Sequence, residues 1–166
     1  MPQRIDIINP FLEKDPSDYQ CFGCAPHNPG GLHMHFYLED GVFFGIWQPQ
    51  NNFEGYKGVL HGGIQATMMD EVASWFVYSQ IGTAGVTKSM QVAYISPTRV
   101  TELPILVKAV LQEKVENEIH LAVELISESK VTATATVVYF VFPEAIARSR
   151  YNYPGKEAFY TKIERL

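Results

Sequence analysis

The stretch Gly58-Val59-Leu60-His61-Gly62-Gly63-Ile64-Gln65-Ala66-Thr67-Met68-Met69-Asp70-Glu71 decides how the rest of the chain is read. A histidine and two glycines open an apolar segment, and two carboxylates stand inside it nine and ten residues after the histidine. The segment from Gly62 to Ile81 has no proline, which predicts a helix of about five turns with Gly82 as its stop. An apolar helix seldom carries an acid midway unless the acid is paired or used. The glycines leave bare backbone N–H groups at the helix start, where anions and polarised oxygens bind. An electrophile site and an acid on one helix point to chemistry at a carbonyl.

At 100° per residue, Gly63, Ala66, Thr67, Asp70, Ala73, Ser74 and Val77 fall on or near one face, while Ile64, Met68, Glu71, Trp75 and Tyr78 form a bulkier neighbour. Small residues around an acid leave room for a substrate, so Asp70 is better placed than Glu71 to meet one. Lysine or arginine partners, or plain exposure, account for both acids equally well on composition alone. Taken alone, His61 reads as an N-cap or loop residue.

Upstream, residues 1–31 are rich in Pro, Gly, Asn and Asp and read as a lead-in, with a short helix near residues 17–21. Leu32, Met34, Phe36 and Leu38 alternate with His33, His35 and Tyr37 as a strand, Glu39-Asp40-Gly41 turns the chain, and Val42–Trp47 returns. Downstream, strands are predicted over Thr87–Ile95, Leu103–Glu113, Glu118–Ser127 and Val131–Phe142. Ile119, Leu121, Val123 and Leu125 share one face of theirs. Residues 32–142 thus form the main domain, and 143–166 a tail with a helix around 156–164. Two strands, one helix and four strands predict an α+β fold, an antiparallel six-stranded sheet wrapped around one long central helix. One such sheet covers only part of an apolar helix, which predicts a homodimer.

The bulk composition narrows the function. A formal net charge of −5 argues against nucleic acid as a partner. No apolar run long enough to span a membrane occurs, and the first residues do not read as a signal peptide, so the expected setting is cytoplasmic with no membrane partner. Cys21 and Cys24 are too few for a disulfide framework. With His27, His33 and His35 nearby they resemble half a zinc site, but the second half is absent and no metal is expected.

His61-Gly62-Gly63 followed by Asp70, in this strand order, resembles the hotdog-fold thioesterases. The likeness is to the phenylacetic-acid-type and human acyl-CoA thioesterase branch of the 4-hydroxybenzoyl-CoA thioesterase superfamily. Cys21-Phe22-Gly23-Cys24 with Asn28-Pro29-Gly30-Gly31-Leu32, and Gly85-Val86-Thr87 with Met90 and Tyr94-Ile95-Ser96-Pro97, carry the same resemblance. It covers roughly residues 20–142. It implies an acyl-CoA thioesterase without a cofactor, assembled as a homodimer and further as a homotetramer. Asp70 matches the general base or nucleophile, and Gly62 the residue whose backbone N–H polarises the thioester carbonyl. His61 matches the histidine beside the leaving thiolate or carbonyl. Thr87 matches the water-positioning hydroxyl, taken from the strand across the dimer. Gly63, Glu71, Gly55, Lys57, Lys88 and Met68 are the expected substrate-binding residues. Gly55 stands where several relatives carry an asparagine, six residues before the histidine. An adjacent carboxylate is expected to raise one pKa of the Asp70–Glu71 pair. Lys57, Lys88, Arg99 and Lys130 are expected at the coenzyme phosphates, and Met68, Met69, Trp75 and Phe53 around the acyl group, although methionine and aromatic residues at helical spacing read equally as core. A hydratase or dehydratase acting on acyl thioesters, and an acyl-CoA-binding module without hydrolysis, are the alternatives.

Overall fold

The computed structural model describes residues 3–13 and 18–160. The sheet has seven strands rather than six: β1 (Arg4–Ile7), β2 (His35–Glu39), β3 (Val42–Trp47), β6 (Gly85–Tyr94), β7 (Ile105–Val115), β8 (Glu118–Ser127) and β9 (Lys130–Val141), in the order β1-β2-β3-β7-β8-β9-β6 with antiparallel neighbours. The additional strand comes from the lead-in. Arg4-Ile5-Asp6-Ile7 alternates over only four residues and buries Ile7 alone, too short a signal to read as a strand; pairing with β2 makes the strand. Two short strands, β4 (Glu54–Tyr56) and β5 (Val59–Leu60), form a separate hairpin before the helix.

Asp40 and Gly41 both adopt left-handed backbone conformations at the β2–β3 hairpin, which the Asp-Gly pair suits. The helix α1 (Gly62–Phe76) buries Gln65, Met68, Met69, Val72, Ala73, Trp75 and Phe76, a broad stripe at helical spacing. It lies against β3, β6, β7, β8 and β9, where Val107, Ile119, Leu121, Val123, Leu125, Ala133 and Val137 are buried. The last residues, Val77–Ile81, widen into a π-helical turn, and left-handed Gly82 ends it by donating to the Val77 carbonyl at 3.0 Å.

Gly45 of β3 marks the tightest approach of helix and sheet. A Cβ there would lie 2.4 Å from Val72 Cγ2 and 3.2 Å from Met34 Cε. Gly45→Ala is therefore expected to destabilise the fold by about 1–3 kcal/mol, through forced movement of α1 against the sheet. Urea denaturation of the two proteins measures it.

The tail adds a helix, α2 (Glu144–Tyr151), and a 3-10 turn over Lys156–Phe159. The helix expected around 156–164 is only this turn within the described residues; 161–166 lie outside them. Likewise Asp18–Cys21 are not helical, and residue 17 lies outside the described residues. The tail covers the end of the central helix. Tyr153 donates to the Tyr78 carbonyl at 2.9 Å, Tyr160 to that of Ser79 at 3.0 Å and Lys156 to that of Gln80 at 3.0 Å. These are helix-end carbonyls that would otherwise lack partners. Phe159 stacks on Tyr78, ring centroids 5.6 Å apart. No helix among the described residues is long and apolar enough to cross a membrane.

Candidate active site

His61 caps α1. Its Nδ1 accepts the Gly63 N–H at 2.9 Å, while Ile64 and Gln65 donate to its carbonyl. An accepting Nδ1 puts the proton of the neutral ring on Nε2, which is left free to donate. The cap engages Gly63, so the expected substrate-binding N–H of Gly63 is occupied. The Gly62 N–H has no acceptor among the described residues, and a helix start makes it a donor with the helix dipole behind it.

A buried polar network holds this end of the helix. The Gln65 side chain donates to the Leu60 carbonyl at 3.0 Å and accepts from Thr98 at 2.9 Å, and Thr98 meets Thr132 at 2.7 Å. Tyr94 donates to the Gly62 carbonyl at 2.8 Å. The result is an open groove of about 730 Å³ lined by Gly55, Tyr56, His61, Gly62, Tyr94 and Ile95, among others. Gly55 stands against His61: a Cβ there would be 3.3 Å from His61 Cα and 3.4 Å from its ring. Lys57 lies in the β4–β5 turn, and Arg99 bridges to Val59 of β5, so two exposed cations flank one hairpin beside the groove.

Asp70 is half-buried and held by two hydroxyls. Thr87 donates to its Oδ1 at 2.7 Å and Tyr139 to the same oxygen at 3.1 Å. Burial and then the Asp70 charge push the Tyr139 hydroxyl up, so it stays a donor. Thr87 and Tyr139 are register partners on β6 and β9, and the pairing slips between Thr87 and Ser89. A bulge at this point turns the local side chains, and Thr87 comes to face the helix although it sits on an edge strand. This corrects the expectation that Thr87 serves from across a dimer: it meets the acid of its own chain.

Other expectations are also relocated. Glu71 turns away from Asp70 and accepts from Cys21 at 3.3 Å and from the Trp75 indole at 3.0 Å. Burial, then the nearby Cys21, push its carboxyl up to about 8; the neighbouring Asp70 is not the source. Met68 and Met69 are wholly buried. Trp75 is buried and stacked on Phe36 with centroids 4.5 Å apart, and Phe53 packs on Trp47. In the single chain these residues build the core rather than an acyl pocket, because the sheet occupies the face they point to. Lys88 is ion-paired with Glu118, and Lys130 lies exposed at the β8–β9 turn. Tyr139 and the Gln65–Thr98–Thr132 network carry no sequence signal, and the motif that includes Tyr94 gave no role for its hydroxyl. Each depends on a strand register that only the folded sheet defines.

Residues 57–134 match the family model described as Thioesterase superfamily. No curated protein matches the chain. Among solved structures, a thioesterase superfamily protein aligns over 74% of this chain with a TM-score of 0.65 and 21% identity, and this chain spans only 60% of it. A hypothetical thioesterase from Streptococcus pneumoniae, solved with coenzyme A, aligns with a TM-score of 0.58 and 22% identity over 63% of this chain and 84% of its own. The E. coli PaaI protein from the phenylacetic acid degradation operon aligns with a TM-score of 0.61 and 13% identity, over 68% and 82% respectively. A seven-stranded antiparallel sheet around a long central helix, shared with these structures, is the hotdog fold.

Proposed function

We propose that this protein is an acyl-CoA thioesterase of the thioesterase superfamily, akin to its phenylacetic-acid-type branch, with Asp70 as the acid and the Gly62 N–H as the carbonyl activator. The observation that carries the reading is the acid itself: a half-buried carboxylate with one oxygen held by Thr87 and Tyr139, on the helix whose first N–H has no acceptor among the described residues. The S. pneumoniae neighbour's coenzyme A supports the substrate class.

Hydrolysis places negative charge on the thioester oxygen, and a fixed N–H at a helix start stabilises it. Hydroxyls on one Asp70 oxygen leave the other to take a proton from water or to attack the carbonyl. Gly62 and Asp70 are eight residues apart on α1, so about 12 Å separates them along the axis. One carbonyl cannot reach both in a single chain. A second copy brings its own Gly62 to Asp70 of the first in a homodimer. The exposed edge of β6, with Val86 at 45%, Tyr94 at 54% and Ile95 at 61% exposure just beyond it, supports that arrangement.

A panel of acyl-CoA esters assayed for free thiol tests the proposal. Turnover of at least one ester to acid and thiol is expected; tight acyl-CoA binding with no thiol release across the panel would overturn it. Thr87→Val removes one of the two hydroxyl donors and is expected to lower kcat roughly tenfold to a hundredfold, the loss of a hydrogen bond to a charged group. Steady-state kinetics on the best ester gives the value.

A further inference from the structure

The Cys21–Cys24 turn has no part in the proposed reaction, yet it is built with care. Both cysteines are free thiols, and Glu71 arrives from α1 so that the ligand atoms of all three lie within 4.8 Å of one another. Cys21 Sγ is 3.3 Å from Glu71 Oε1 and the Tyr19 hydroxyl is 3.1 Å from Cys24 Sγ. The Trp75 indole N–H donates to that same Glu71 oxygen at 3.0 Å.

Gly23 makes the approach possible. A Cβ there would lie 2.4 Å from the Glu71 carboxyl carbon, so only glycine lets this carboxyl enter the turn. The neighbours that hydrogen-bond to the three acids are all neutral, and Glu71 forms no ion pair with a lysine or arginine among the described residues. Three ligand atoms thus converge in a part-buried place with no cation beside them among the described residues. Thiolates separated by two residues in a turn, with a carboxylate, are a ligand set for a borderline-soft divalent cation. The indole and tyrosine donors are the outer contacts that orient such ligands. The cysteine count alone argues against a metal, because the third ligand stands 47 residues further along and is invisible until α1 packs.

We propose that Cys21, Cys24 and Glu71 bind one zinc-type divalent cation, with water completing the coordination. Binding displaces the thiol protons into solvent. The ion ties the N-terminal segment to α1 at a place separate from the Thr87–Tyr139 clamp on Asp70, so it serves the fold rather than the reaction.

The test is titration of the reduced, metal-free full chain with Co²⁺, followed by competition with Zn²⁺. A near-ultraviolet thiolate-to-cobalt absorption saturating at one equivalent, abolished by one equivalent of Zn²⁺, is expected. Cys21→Ser and Cys24→Ser should lose the band, and Glu71→Gln, which keeps the shape of the side chain, should weaken Co²⁺ binding at least tenfold. Zn²⁺ should raise the unfolding temperature of the wild type and not of Glu71→Gln. Circular dichroism separates a lost site from a lost fold. No band in the reduced wild type, or equal affinity in folded Glu71→Gln, would overturn the proposal. Neither readout uses hydrolysis, so a failure here leaves the thioesterase reading untouched.

Discussion

Asp70→Asn is expected to lower kcat for thioester hydrolysis by about 10²–10⁴-fold, the range for removal of a positioned acid or base. The amide is isosteric and still accepts from Thr87 and Tyr139 through its oxygen, so the clamp that holds the side chain survives. KM and the unfolding temperature should move little. The amide nitrogen can neither take a proton from water nor attack a carbonyl, so the loss appears in kcat. Near-normal turnover by a folded Asp70→Asn protein would remove Asp70 from the mechanism, whether as base or as nucleophile.

Gly62→Pro is expected to lower kcat by about 10²–10³-fold, the usual effect of deleting one oxyanion donor. Proline suits the first helical position, where the N–H has no intrahelical partner. The preceding His61 has ψ 133, the extended conformation that proline requires of its predecessor. The fold is therefore expected to persist while a single hydrogen is removed. Gly62→Ala, whose Cβ would meet the Tyr94 ring at an ordinary 3.4 Å, keeps the N–H and serves as control. Mixing the two inactive proteins tests the shared site. After dissociation and reassembly, Asp70→Asn and Gly62→Pro chains should recover about a quarter of wild-type activity, since half of random pairs are mixed and each carries one intact site. If both groups acted within one chain, the mixture would stay inactive.

Asp70 was legible as a candidate because an acid on the small-residue face of an apolar helix is a local pattern, and His61 as a cap because a histidine before a glycine pair reads as one. His61 engages the Gly63 N–H, while the Gly62 N–H, first in the helix, has no acceptor among the described residues. Thr87 was legible by resemblance, but its partner was not. The bulge beside it and its register with Tyr139 are long-range facts. Met68 and Met69 mislead for a different reason. A methionine at helical spacing looks the same whether its face meets a sheet or a ligand, and here the sheet takes it.

The chain's own pattern determines the helix from Gly62 to Ile81, its stop at Gly82, the β2–β3 hairpin at Asp40-Gly41 and the strands from β6 to β9, because each rests on periodicity or turn chemistry within a few residues. It also singles out Asp70 over Glu71. Tertiary structure alone decided the seventh strand, whose four residues are too few to announce it, and the tail's cover over the helix end. It alone decided that the two adjacent carboxylates part company, Asp70 to the Thr87–Tyr139 clamp and Glu71 to the Cys21–Cys24 turn. Neighbours on a helix diverge by about 100°, so what each one meets is set by the strands and turns that pack on its side.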